Sequence, residues 1–268
     1  MGRRTNFIDK QIAERLGEEK LNKQGCLMKI VEYNSATDIV VEFQDNYKAK
    51  VHTQYSSFKR DKVKNPYCPT VYNVGITGNK YPTWNNDKHT KEYDAWQNML
   101  ARCFDGKIKE KYPTYEKTTC CKEWLLYENF YEWLHSQENF NEWYNNDGWH
   151  LDKDILIKGN KLYSPNTCCL VPYNVNKLFI KHDRYRGDLP IGVHRDVKDY
   201  GFIARCMNPF TGKRDYLGYC TNIKDAFQLY KLHKEKLIKQ VAEMEYNKGN
   251  ITENCYKAMK NYVVEITD

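Results

Sequence analysis

All six tryptophans of this 268-residue chain fall between Trp84 and Trp149. Large aromatic side chains bury extensive area, so a cluster this dense asks for a core of its own. The charge divides along similar lines. Residues 1–80 carry a net charge of +5, residues 81–179 carry −2, residues 180–248 carry +5 and the last twenty carry −1. The chain therefore reads as an α+β multidomain protein in three parts, 1–80, 81–182 and 183–268. Two basic parts around a near-neutral centre suit a polyanionic partner, most simply nucleic acid.

Composition removes several other classes. With 14% aromatic and 41% hydrophobic residues, the chain is not of the disordered type. No run approaches ~18 consecutive apolar residues, so no membrane helix is expected. The segment Met1–Phe7 lacks an apolar signal core, so the expected location is the cytoplasm. Ten cysteines in a chain of this length do not imply a disulfide framework, because the chain can build its own core; reduced thiols are expected. The paired cysteines are the adjacent ones, Cys120–Cys121 and Cys168–Cys169, rather than Cys-x-x-Cys, so no structural zinc is expected. There is no Walker loop and no dinucleotide-binding glycine pattern.

In the first part, Gly25–Tyr33 and Asp38–Phe43 are β-branched apolar runs separated by turn formers, a hairpin signal. Lys48–Tyr55 reads as a third strand. Short strands with tight turns predict a small β-barrel. Phe58-Lys59-Arg60, Lys62, Lys64 and Asn65-Pro66-Tyr67 interleave cations with aromatics, the composition of either a nucleic-acid rim or a solvated turn. The segment resembles the small Tudor-like barrels at the N-terminus of many phage-encoded proteins, which implies an accessory role in binding nucleic acid or a protein partner.

In the second part, Tyr93, Trp96, Leu100 and Cys103 recur at helical spacing and predict a helix over about 90–103. Trp124, Phe130, Trp133 and Leu134 mark another helical stretch. From Trp149 to Phe179 the pattern is strand, turn-rich loop, short strand and helix start. His150, Asp152 and Asp154 recur at period two and would share one face of an extended strand. Asn176 would sit in the following helix. A strand carboxylate and a helix amide can hold one hard cation through oxygen, and a strand His can activate water.

These residues resemble the HNH nuclease family, in its phage and homing-endonuclease branch. The resemblance is carried by Asp152-Lys153-Asp154, by Gly159-Asn160-Lys161 with Ser164-Pro165-Asn166, and by Asn176. It implies a ββα domain gripping one divalent cation, Mg²⁺ or Mn²⁺, through Asp152, Asp154 and Asn176, with Lys153 and Lys161 near the DNA. In the family a His pair or an Asp-His pair ends the first strand. Here, aligned through Asp154, Asp152 holds the family His position, and His150 lies two residues upstream, about 7 Å along a strand. Three alternatives follow: Asp152 binds metal and His150 is the base; a carboxylate is the base; or the site is degenerate and binds DNA without cutting it.

In the third part, strands are expected at Ile191–Arg195, Tyr200–Cys206 and Asp215–Cys220. A long helix is expected after the capping pattern Asn222–Asp225, with Ile223, Ala226, Phe227, Tyr230, Leu237 and Val241 on its apolar face. Arg195, Arg205 and Arg214 fall one to each strand or its lead-in, and period alone does not say which face each takes. The segment resembles the APETALA/ethylene-response-factor DNA-binding domain through Gly192-Val193, Arg195, Phe202, Ala204-Arg205, Leu217-Gly218-Tyr219 and Ala226-Phe227. That implies binding of double-stranded DNA through the sheet. The combined expectation is a phage-type HNH DNA endonuclease acting in a bacterial host. The other reading is a non-catalytic DNA-binding or interaction protein, such as a phage regulator or a host-defence antagonist of the anti-CRISPR kind.

Overall fold

The computed structural model describes Lys10 and residues 12–180, 187–196 and 200–268. The expected boundary at 182/183 and the segment Met1–Phe7 lie outside them. The chain is mixed α+β and divides into two compact units, residues 1–105 with 122–131, and residues 106–121 with 132–268. Among the described residues no helix is long and apolar enough to cross a membrane.

The first unit begins with an antiparallel sheet of four strands in sequential order: β1 (Glu19–Leu21), β2 (Leu27–Ser35), β3 (Asp38–Phe43) and β4 (Lys50–Thr53). Met28, Ile30 and Tyr33 on β2 and Ile39, Val41 and Phe43 on β3 turn their side chains into one buried cluster. The sheet is not the closed barrel expected from the sequence. The third run stops as a strand at Thr53, and Tyr55–Lys59 forms a short helix, α1. Its Phe58, fully buried, fills the core where further strands would have closed it.

A two-residue hairpin, β5 (Trp84–Asn85) with β6 (Lys88–His89), leads into α2 (Lys91–Phe104). This is the helix expected over 90–103. Thr90 caps it by accepting from Tyr93 N–H, and Tyr93, Trp96, Leu100 and Cys103 are buried on one side. The Trp96 indole donates to the carbonyl of Trp124 at 2.7 Å, so a buried polar atom is satisfied within the aromatic core. The second helical stretch is α3 (Tyr127–His135).

The second unit contains β7 (Thr119–Cys120), β8 (Trp149–Asp152), β9 (Leu162–Tyr163) and β10 (Cys169–Pro172), then α4 (Tyr173–Asn176). β8 pairs antiparallel with β10, and β7 pairs parallel with β9. It continues with the sheet β11 (Val193–Arg195), β12 (Phe202–Met207) and β13 (Arg214–Cys220), the long helix α5 (Ile223–Asn247) and the closing helix α6 (Glu253–Lys260). α5 lies against all three strands of that sheet. It starts as its sequence suggests, with Asn222 Oδ1 accepting from Asp225 N–H at 2.9 Å. Ile155, Cys169, Val171 and Val175 share one core with Val193, Phe202, Ala204, Phe227 and Val241. Residues on either side of 182 are therefore packed together.

Candidate carboxylate site and nucleic-acid interface

β8 and β10 form a two-stranded ladder in which His150 faces Val171 and Asp152 faces Cys169. β10 runs directly into α4, and Tyr173 N–H donates to Gly148 O at 2.7 Å, which pins the start of the helix to the approach of β8. Strand, loop, strand and short helix thus follow in the expected order. α4 packs against β8 and ends at Asn176, which is half-buried.

The strand is shorter than its period-two pattern suggests. Asp152 Oδ1 accepts from the N–H groups of Asp154 and Ile155, both at 2.8 Å. A short acidic side chain that captures the next N–H groups turns the backbone out of the ladder. Asp154 therefore stands in the turn rather than on the strand face that carries His150 and Asp152. The following loop is closed by Asn160, whose amide donates to Lys153 O at 2.6 Å and Leu162 O at 2.7 Å.

Burial, and the negative charge of Asp154 beside it, raise the Asp152 carboxyl to about 6. Asp154 is compensated differently: Lys153 Nζ lies 3.2 Å from its Oδ2. Lys153 is itself buried, with its ammonium 5.8 Å from the centre of the Tyr163 ring. The sequence reading placed Lys153 at the DNA, but its side chain points inward because Asp154 and Tyr163 receive it there. Lys161 is exposed and donates to Thr114 O at 3.3 Å. The His150 ring lies 5.8 Å from the Tyr173 ring. Among the described residues, no group of three or more His, Cys, Asp and Glu side chains converges as an ion site. The expected trio reduces to a carboxylate pair.

The three-stranded sheet separates two faces. Val193, Phe202, Ala204 and Cys206 are buried against α5. On the opposite face His194 pairs with Ile203 and Ile203 with Tyr219, Arg205 pairs with Tyr216, and Met207 with Arg214. Arg205, Arg214, Tyr216 and Tyr219 are exposed. A bulge lies where the register passes from Ala204–Gly218 to Arg205–Tyr216, so Leu217 is the extra residue of β13. It resets the alternation and brings Tyr216 and Tyr219, three positions apart, to the same face. Tyr219 lies over Gly201, where a Cβ would stand 2.3 Å from the ring.

Arg195, though exposed, takes the other face of the sheet. It pairs with the buried Phe202 and its guanidinium lies 5.6 Å from that ring, on the helix side of the sheet. His194, one residue earlier, takes the outward place. Its pKa is lowered from its ordinary value by burial and then by the cations of Arg214 and Arg205. Sequence reasoning missed His194 and Tyr216; the signal was their alternation with Val193 and Asp215, legible only once the strand register is known. No family model, curated protein or solved structure matches this chain.

Proposed function

We propose that the chain is a DNA-binding endonuclease of the HNH type, which holds duplex DNA on the outer face of the β11–β13 sheet and hydrolyses a phosphodiester at the β8–β10–α4 motif. The observation that carries the reading is the carboxylate pair Asp152–Asp154 at the foot of an antiparallel hairpin that leads into a helix ending at Asn176. Two adjacent carboxylates, one of them raised by burial and then by the charge of the other, are a donor set that a divalent cation would relieve. Asp152, Asp154 and Asn176 would hold Mg²⁺ or Mn²⁺, which when bound supplies charge stabilisation for the phosphorane and the leaving oxygen.

The chain's own residues do the remaining work. His150 takes a proton from the attacking water. The water oxygen bonds to phosphorus as the ester P–O bond breaks, and the leaving oxygen is protonated from solvent. Arg205 and Arg214 neutralise backbone phosphates, while Tyr216 and Tyr219 present flat amphipathic surfaces beside them. One such site cuts one strand, so nicking is the expected product.

A second reading, binding without cleavage, is favoured by a specific observation. Asp152 Oδ1 is engaged by two backbone N–H groups and Asp154 Oδ2 by Lys153, so part of the carboxylate capacity serves the turn. Incubation with supercoiled plasmid, with Mg²⁺, with Mn²⁺ and with chelator, separates the two. Metal-dependent nicking that is lost in Asp154→Ala, Asn176→Ala and His150→Ala supports the endonuclease. Tight duplex binding with no cleavage in either metal rejects it in favour of the second reading.

A further inference from the structure

The first unit contains a cleft of about 580 Å³ that neither reading uses. Lys23, Lys62 and Lys64 line it, together with Asn22, Asn65 and Thr77. The three lysines are exposed and have no carboxylate partner among the described residues. The acids nearby are already engaged. Asp61, the one carboxylate in the lining, has its Oδ1 2.6 Å from Lys20 Nζ, which does not line the cleft, and Asp45 accepts from the N–H groups of Tyr47 and Lys48 and from the Asn65 amide. The lining therefore carries three lysines against one carboxylate, and that carboxylate is paired with Lys20, which leaves an excess of positive charge.

Its floor is built rather than loose. Asn22 is buried, accepts from Gln24 N–H and Cys26 N–H at 2.9 Å each, and donates to Val63 O at 2.9 Å. Gln24 Oε1 accepts from Asn65 N–H at 2.7 Å. These amides fix the turn at 22–26 against the segment 61–65, so the lysines project from a rigid base. The backbone N–H groups of Val63, Lys64 and Thr77 have no acceptor among the described residues. Clustered cations and unfilled main-chain donors are the elements of an anion site. The lining contains no aromatic ring, so nothing there stacks on a base. The volume lies within the range of small-ligand clefts, about 300–1,000 Å³.

We propose that this cleft binds phosphate esters, supplied by the sugar-phosphate backbone of a nucleic-acid strand and gripped without reading its bases. The proposal is independent of the carboxylate pair and of the β11–β13 sheet. It is tested on the full chain by fluorescence anisotropy with a labelled single-stranded oligonucleotide, with ADP as competitor. The paired variant Lys62→Glu/Lys64→Glu, with an unchanged melting curve, should weaken oligonucleotide binding at least tenfold. It should also lower the salt slope by about 1.4, the loss of two single-strand phosphate contacts. Lys23→Glu alone should act in the same direction, and Arg205→Ala/Arg214→Ala should leave this binding in place. Unchanged oligonucleotide affinity in both lysine variants overturns the proposal. Saturable ADP binding without oligonucleotide binding keeps the phosphate chemistry but overturns the strand as its source.

Discussion

Lys153 Nζ lies 3.2 Å from Asp154 Oδ2, and the side chain that carries it is buried. The ammonium compensates Asp154 and leaves Asp152 facing a neighbouring charge in a desolvated setting. Burial first, and the charge of Asp154 second, raise the Asp152 carboxyl to about 6.

Stability should report this directly. The Asp152 carboxyl is raised from 3.8 to about 6, so the folded state holds the proton more tightly than the unfolded chain. Its contribution is therefore unfavourable above about pH 6 and disappears as the pH falls toward 4. Asp152→Asn keeps the Oδ1 acceptor for the Asp154 and Ile155 N–H groups while removing the charge. In chelator, the variant should exceed the wild type by on the order of 2 kcal/mol near pH 8, with the difference vanishing near pH 4. Urea denaturation at the two pH values checks it; a variant no more stable near pH 8 contradicts the account.

Duplex binding should separate the arginines by face. Arg205→Ala and Arg214→Ala should each lower affinity and reduce the salt slope by about 1, as the loss of one phosphate contact does. Arg195→Ala, on the helix side against Phe202, should leave the slope unchanged. Anisotropy titrations across a salt series measure all three. Equal effects at Arg195 and Arg205 would show that the duplex does not lie on the outer face.

The same face should bind DNA with a pH dependence. His194 is held below its ordinary 6.5 by burial and by Arg214 and Arg205. A phosphate brought beside it offsets those cations and raises its pKa, so binding takes up a proton. Affinity should therefore rise between about pH 7.5 and about pH 5.5, and His194→Gln should flatten the rise. A wild-type affinity that does not change over this range refutes it.

Backbone geometry makes a further prediction at Gly192. Its φ is +79°, and a Cβ there would stand 1.9 Å from the Tyr230 ring. Gly192→Ala combines a left-handed backbone penalty with a clash against a buried ring, and should cost about 3 kcal/mol or more. Gly212→Ala, at φ +68° with nothing near its Cβ, should cost about 1 kcal/mol. Chemical denaturation of the two variants compares them. Similar losses would mean that Tyr230 yields to the added methyl.

What the sequence determined by itself was local. The helix over 90–103, the Asn222 cap, the apolar face of α5 and the strand-loop-strand-helix order from Trp149 to Asn176 depend on contacts a few residues apart, so their periodicity is visible in the chain. The tertiary structure decided matters that depend on distant partners. Phe58 fills the core beside an open four-stranded sheet because the third run bends into a helix after Thr53. The strand bearing His150 ends at Asp152 because a side-chain oxygen takes the next two N–H groups. Arg205 and Arg214 face outward while Arg195 faces the helix, because pairing and a bulge at Leu217 set the alternation, and a period of two cannot survive an inserted residue. The six tryptophans do not share one core: Trp96 and Trp124 are buried and hydrogen-bonded to each other, Trp84 is exposed, and Trp133, Trp143 and Trp149 belong to the second unit. The charge steps that accompany them do not mark packing boundaries. Val171 and Val241 bury together, and burial follows shape and apolar area rather than the balance of surface charge.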